Sequence, residues 1–317
     1  MCQDANKMSN RNLHEGRGGN PGEARSKIEG HVALVFVQLC FGFLPLFGKW
    51  IDGEADFTPR IVTAWRIGGG AVIFLALAFA CHGKKMRVNL RDIPALLVLA
   101  LLGVGANQWL FLEGLIRSTS VNAGLMMPLI AVFTFLLAAL VRQERFSLLP
   151  CLGIVIAFAG TAQLALQKEV DMSRPYLIGN LLMVANTLCY SAFLVGSLSL
   201  ARRYPPLVLI AWMYVLSLWA LPILGQGDDF FPSGASMKSW GTLALIIAFP
   251  TVLGYLLNIY ALARLPASTT AVYVFLQPLI AGIAGTVILS EALHGSTFVA
   301  GALILIGVGI VLSRQRR

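Results

Sequence analysis

PRIVTAWR, residues 59–66, returns as PLVLIAWM at 206–213, an offset of 147 residues. Pro59, Ala64 and Trp65 match Pro206, Ala211 and Trp212. The same offset carries Leu115 to Leu262, Arg117 to Arg264, Glu144 to Glu291 and Gly160 to Gly307. One fixed spacing thus covers seven pairs, and each half holds five long apolar runs. Five crossings is an odd number, so a second half that repeats the first traverses a membrane in the opposite sense. Inverted repeats of this kind mark secondary transporters.

Composition agrees. The 317 residues are 57% hydrophobic and only 12% charged, with a mean hydropathy of +0.76, which excludes a soluble globular chain. Residues 1–28 are polar and read as a disordered cytoplasmic tail. The apolar run after them is about 20 residues long and has no small-residue cleavage site, so it reads as a spanning helix and not a signal peptide. Spans are expected near 31–50, 58–81, 93–115, 119–141, 147–167, 176–200, 205–225, 239–263, 267–290 and 296–313. The expected fold class is an all-α multi-pass membrane protein. Its ten transmembrane helices form two inverted five-helix (5+5) repeats, at 29–168 and 176–314.

The net charge of +9 raises the question of nucleic acid, and its distribution answers it. With the N-terminus in the cytoplasm, seventeen of the 24 Lys and Arg fall on the inside and six on the outside, with Arg66 within a span. The charge is a topology signal that places both termini in the cytoplasm of a cell (inner) membrane. No nucleic-acid partner is expected. The closing Arg314-Gln315-Arg316-Arg317 suits an anchor on the anionic surface of the lipid bilayer. Cys2, Cys40, Cys81, Cys151 and Cys189 stand alone, without disulfide or zinc spacing. Gly42 to Lys49 misses a phosphate loop by one residue, and Trp50 replaces the hydroxyl residue that would hold magnesium. No acid–base or nucleophile constellation appears, so neither catalysis, nor a cofactor, nor a metal is expected.

The informative residues are those that resist the lipid, because polar groups within a span are costly and face cavities. Arg66 lies about 12 Å into the second span at 1.5 Å per residue. It reads either as a cationic anchor for an anionic or zwitterionic substrate or as a structural group bound to carbonyls. Glu113 lies near the same level on the third span, where it is a candidate partner for Arg66, a carrier of a coupling proton, or an interfacial carboxylate that merely meets water. Asn107 and Gln108 sit deeper in the third span. Asn186, Tyr190, Tyr255, Asn258, Tyr260, Tyr273 and Gln277 fall in the sixth, eighth and ninth, and together these groups are candidates to line a cavity between the halves. Pro45, Pro128, Pro250 and Pro278 each remove a backbone bond inside a span, as a kink or a freed carbonyl beside a cavity. Trp65 and Trp212 read as packing. Glu144 and Glu291 end the fourth and ninth spans on opposite faces, as caps for the next helix or as gates.

These residues resemble the EamA family of the drug/metabolite transporter superfamily. That family's repeat has an Arg in its second helix, matched by Arg66. It has a stretch like Asn107-Gln108-Trp109-Leu110-Phe111 running to Gly114-Leu115, then small residues such as Ser120, Asn122 and Ala123. It closes with a Pro about 13 residues before a Glu, as Pro278 stands before Glu291. The first half departs, with Ala131 at that spacing from Glu144 and the proline three residues earlier at Pro128. Met213 stands opposite Arg66 in the second half, so the Arg is not duplicated. The resemblance implies two five-helix bundles around a central cavity, alternating access, and small metabolites, most often exported.

The expected function is secondary transport of a small molecule, with a proton as one candidate coupling ion. Two other readings stay open. A flippase for lipid or hydrophobic compounds would use Arg66 as a headgroup ligand. A non-transporting receptor or scaffold would need neither the repeat nor the polar residues within spans.

Overall fold

The computed structural model describes residues 21–44, 47, 50, 57–118, 120–145, 147–166, 174–280, 283 and 295–313. Among them every regular element is helical. We label α1 Pro21–Gly42, α2 Pro59–His82, α3 Leu90–Ile116, α4 in two pieces (Ser120–Met126 and Leu129–Leu140) and α5 Leu148–Leu166. The second repeat follows as α6 Arg174–Arg203, α7 Pro206–Leu224, α8 Met237–Leu262, α9 Ala267–Ile280 and α10 Gly295–Ser313. Six of these, α2, α3, α4, α6, α7 and α8, hold segments long and apolar enough to cross a membrane, and shorter apolar helices lie in α5, α9 and α10.

Local chemistry sets the helix ends. Thr58 caps α2, its hydroxyl accepting from the Ile61 amide at 3.3 Å, with Pro59 in the first turn, where a missing N–H costs nothing. Gly83 stops α2 at φ 50°, in the left-handed region. Ser236 caps α8 in the same way through the Ser239 amide. One expectation needs correction. α1 begins at Pro21, so residues 21–28 of the expected disordered tail are helical. The stretch is polar, but Glu23, Ala24, Arg25 and Lys27 are good helix formers, and Arg25 pairs with Glu29 one turn on. Glu29 also accepts from the Tyr260 hydroxyl and sits 3.9 Å from the Arg264 guanidinium, which ties the polar end of α1 to α8. The rest of the tail, Pro45 and Glu291 lie outside the described residues.

The repeat is visible in three pairs of features. α3 widens into π-type turns at Leu101–Gly105, and α8 does so at Ile247–Leu253, which spans the same positions 147 residues on. Gly103 and Gly105 soften the first, and Pro250 breaks the second. The two repeats also grip each other reciprocally through indoles. Trp65 donates to the Phe230 carbonyl, and Trp212 donates to the Met86 carbonyl, each at 2.8 Å. The tryptophans are therefore hydrogen-bonded clasps as well as packing. Finally, α5 and α10 cross with bare backbones in contact. A Cβ on Gly160 would stand 2.7 Å from the Ala300 carbonyl oxygen, and one on Gly307 would stand 2.5 Å from that of Gly153. Those two contacts exchange under the 147-residue offset. A close seam of small residues is how helices associate where lipid removes the hydrophobic drive.

The core is shared, with Ile67, Phe74 and Phe135 of the first repeat in one cluster with Phe193, Tyr214, Ile259 and Phe275 of the second. Val72, Phe79, Leu140, Val155 and Phe298 point outward, as a lipid-facing surface requires.

Candidate functional site: a central cavity around Arg66

A cavity opens between the repeats. Counted to its open mouth, it holds about 660 Å³ of empty space. Val37, Gln38, Phe41 and Leu44 of α1 line it with Arg66 of α2, Asn107, Gln108 and Phe111 of α3, and Met127 and Ile130 of the α4 region. The second repeat contributes Asn186, Tyr190 and Leu194 of α6, Tyr255 and Asn258 of α8, and Thr270, Val274 and Gln277 of α9.

The π-type turns position much of this wall. They are followed at once by Asn107, Gln108 and Phe111 on α3 and by Tyr255 and Asn258 on α8. Gln108 and Tyr255 are repeat equivalents, as are Phe111 and Asn258. Pro250 has a direct consequence. It lacks the N–H that would bond the Ile246 carbonyl one turn back. The Thr251 hydroxyl donates to that carbonyl instead, at 3.0 Å. Its oxygen then accepts from Nε of Arg66 at 2.9 Å. A kink in α8 is thus converted into a seat for a guanidinium from the other repeat.

Arg66 is only 2% exposed, and among the described residues no carboxylate pairs with it. The Thr251 bond uses Nε alone, leaving the two terminal amino groups for the cavity. Around it, most of the polar pairs cross the repeat boundary. Gln108 donates to the Tyr214 hydroxyl at 3.1 Å, while Asn258 of α8 donates to the Tyr190 hydroxyl of α6 within the second repeat. Tyr255 donates to the Gly103 carbonyl at 2.9 Å and lies 3.2 Å from Asn107 Oδ1. Asn186 donates to the Asn107 carbonyl at 2.7 Å, and Gln277 donates to Gln38 at 2.8 Å. Oε1 of Gln108 and Oδ1 of Asn258 remain buried without a partner.

The structure brings Arg66, Asn107, Gln108, Asn186, Tyr190, Asn258 and Gln277 together on this one wall. Glu113 is elsewhere. It is 8% exposed and pairs with Arg117, whose Nη2 lies 2.5 Å and Nε 3.0 Å from Glu113 Oε1. Of the alternatives open for Glu113, pairing with Arg66 is therefore not the one found, because a cation one turn along the same helix reaches the carboxylate first. Tyr260 and Tyr273 also leave the cavity group, Tyr260 for Glu29 and Tyr273 for His31. Glu144 caps α9 of the other repeat and not the next helix, α5, accepting from both the Ser268 amide (3.1 Å) and the Ser268 hydroxyl. Gln38, Thr251 and Tyr214 were not singled out from sequence. Thr251 has a local signal, since it directly follows a proline within a span.

Comparison with known proteins places this geometry. The model of the EamA-like transporter family matches residues 28–166 and again 177–313. An uncharacterized transporter of Archaeoglobus fulgidus is 26% identical over 230 residues, covering 72% of this chain and 81% of that one. A probable terminal-alkyne amino-acid exporter of Streptantibioticus cattleyicolor is 25% identical over 245 residues, covering 77% of this chain and 81% of that one. A crystal structure 18% identical in sequence superposes with a TM-score of 0.76 over 93% of this chain and 99% of its own, so the fold is shared. With the family model matched on both halves, the chain belongs to the EamA-like transporter family and is a membrane transporter of the drug/metabolite type.

Proposed function

We propose that the protein exports a small metabolite across the cell membrane by alternating access, with the cavity around Arg66 as the carrying site. The observation that carries this reading is Arg66 itself: a buried guanidinium held by one neutral hydroxyl and paired with no carboxylate among the described residues. A charge kept in that condition within a membrane has a functional reason. The cavity draws its wall from both repeats, so rocking one against the other would expose it to each side in turn. The similarity to the Streptantibioticus protein, a probable terminal-alkyne amino-acid exporter, supports the direction.

The charge bias supports placing both termini in the cytoplasm. The ties of Glu29 to Arg264, Asp92 to Arg203 and Tyr204, and Glu144 to Ser268 would then gather at the cytoplasmic end. There they join first-repeat carboxylates to the second repeat, and their release would accompany opening to the cytoplasm.

The test compares metabolites inside and outside cells that lack the protein, overproduce it, or overproduce Arg66→Ala. One metabolite should move to the medium with the intact protein and stay inside with the variant. A correctly inserted protein that shifts no metabolite would overturn the reading.

A further inference from the structure

We infer that the substrate is an organic monoanion with an apolar body, a carboxylate being the simplest headgroup, and not a zwitterion or a cation. The inference rests on the transport reading above and narrows its substrate. Among the described residues that line the cavity, Arg66 is the one formally charged side chain, and no Asp, Glu, Lys or His stands with it. The described lining therefore carries a single positive charge in a poorly solvated setting, where an uncompensated ion is costly. One negative charge balances it. A carboxylate also offers two oxygens to the two terminal amino groups that Thr251 leaves free, the fork geometry for which guanidinium is suited.

A zwitterionic amino acid fits less well. Its ammonium is joined to the same carbon as its carboxylate, so docking on Arg66 would set two cations side by side with no acid among the described lining residues to separate them. The unpartnered amide oxygens of Gln108 and Asn258 do not change this. Turning either amide over, with Tyr214 or Tyr190 then donating, would present an N–H at the same place. Those amides serve a neutral polar group of either kind, such as a hydroxyl, whereas the guanidinium accepts one sign only. Phe41, Leu44, Phe111 and Met127 complete an aromatic and aliphatic wall for the rest of the molecule.

A monoanion needs no second ion to leave the cell. A membrane potential of 100 mV, inside negative, biases one negative charge outward by about 50-fold, from roughly 2.3 kcal/mol per elementary charge.

The experiment measures the heat-unfolding midpoint of the purified full chain with body-matched triplets. These are 3-phenylpropionate, phenylalanine and 2-phenylethylamine; indole-3-propionate, tryptophan and tryptamine; and 4-methylpentanoate, leucine and 3-methylbutylamine. At least one carboxylate should raise the midpoint by about 3 °C at a tenfold excess over its Kd. Its zwitterionic and cationic partners should do less than a third as well. Arg66→Gln should abolish the carboxylate preference, and Arg66→Lys should keep it at reduced affinity. An unshifted midpoint of each variant without ligand shows that it is folded. A zwitterion or amine that stabilises more than its carboxylate overturns the inference while leaving transport intact. No stabilisation by any carboxylate also overturns it, whereas the transport reading stands or falls on the metabolite comparison.

Discussion

Thr251→Val removes one hydroxyl and keeps the shape of the side chain. That hydroxyl makes two bonds, accepting from Arg66 Nε at 2.9 Å and donating to the Ile246 carbonyl at 3.0 Å. A hydrogen bond to a charged group contributes about 1.5–3 kcal/mol, and each 1.4 kcal/mol is a factor of ten in affinity. Without its seat the guanidinium must be ordered again each time substrate binds. The apparent affinity for the exported metabolite should therefore fall by roughly 10- to 100-fold. The assay is initial export rate against internal concentration in cells making equal amounts of inserted protein. Thr251→Ser, which keeps the hydroxyl and loses a methyl, should stay within about threefold of the native protein. Native affinity in Thr251→Val would refute the argument. So would equal damage in Thr251→Ser, since shape and not hydrogen bonding would then be responsible.

Three further outcomes follow from the packing. In Gly70→Ala the new Cβ would stand 2.5 Å from the Tyr214 ring, displacing the tyrosine that holds Gln108; export should drop at least about tenfold, while Gly68→Ala, 3.8 Å from its nearest neighbour, should export normally. Gly307→Ala places a methyl 2.5 Å from the Gly153 carbonyl oxygen, so detergent-solubilised folded protein, read by size-exclusion chromatography, should fall sharply, whereas Gly309→Ala meets nothing within 4 Å and should not change it. Glu144→Ala strips the acceptor from the Ser268 amide and hydroxyl, and hydrogen–deuterium exchange over 267–272 should quicken by about tenfold; unchanged exchange would show that the cap does not hold that end of α9.

Much of the architecture was legible because it is written locally and twice. The 147-residue offset and the odd number of runs per half required an inverted pair, whereas the crossing of α5 and α10 on bare backbone at Gly160 and Gly307 came only from the structure. Seven of the nine residues proposed to line the cavity (Asn107, Gln108, Asn186, Tyr190, Tyr255, Asn258 and Gln277) could be found because each breaks an apolar run, a property of sequence alone. Their partners could not. Gln108 with Tyr214 and Asn258 with Tyr190 are 106 and 68 residues apart, and only the packing of α3 on α7 and of α6 on α8 brings them together. The Glu113–Arg117 pair was missed for the opposite reason. The alternatives weighed for Glu113 were a partner across the bundle, a coupling proton or water, whereas Arg117 stands four residues along the same helix. In a helix that spacing brings two side chains together before any tertiary structure forms.

The α5–α10 crossing carries a historical implication. Gly160 lies against Ala300 as Gly307 lies against Gly153, so each contact is the other read from the opposite side. This is the self-complementary relation that two copies of one surface make about a two-fold axis. A single gene encoding only five helices, inserted into the membrane both ways up, would form this crossing between two separate polypeptides. Fusion of two such genes would fix one half in each orientation. Arg66, opposite Met213, is then the kind of asymmetry that only the fused chain can carry, because a change in one half no longer appears in both.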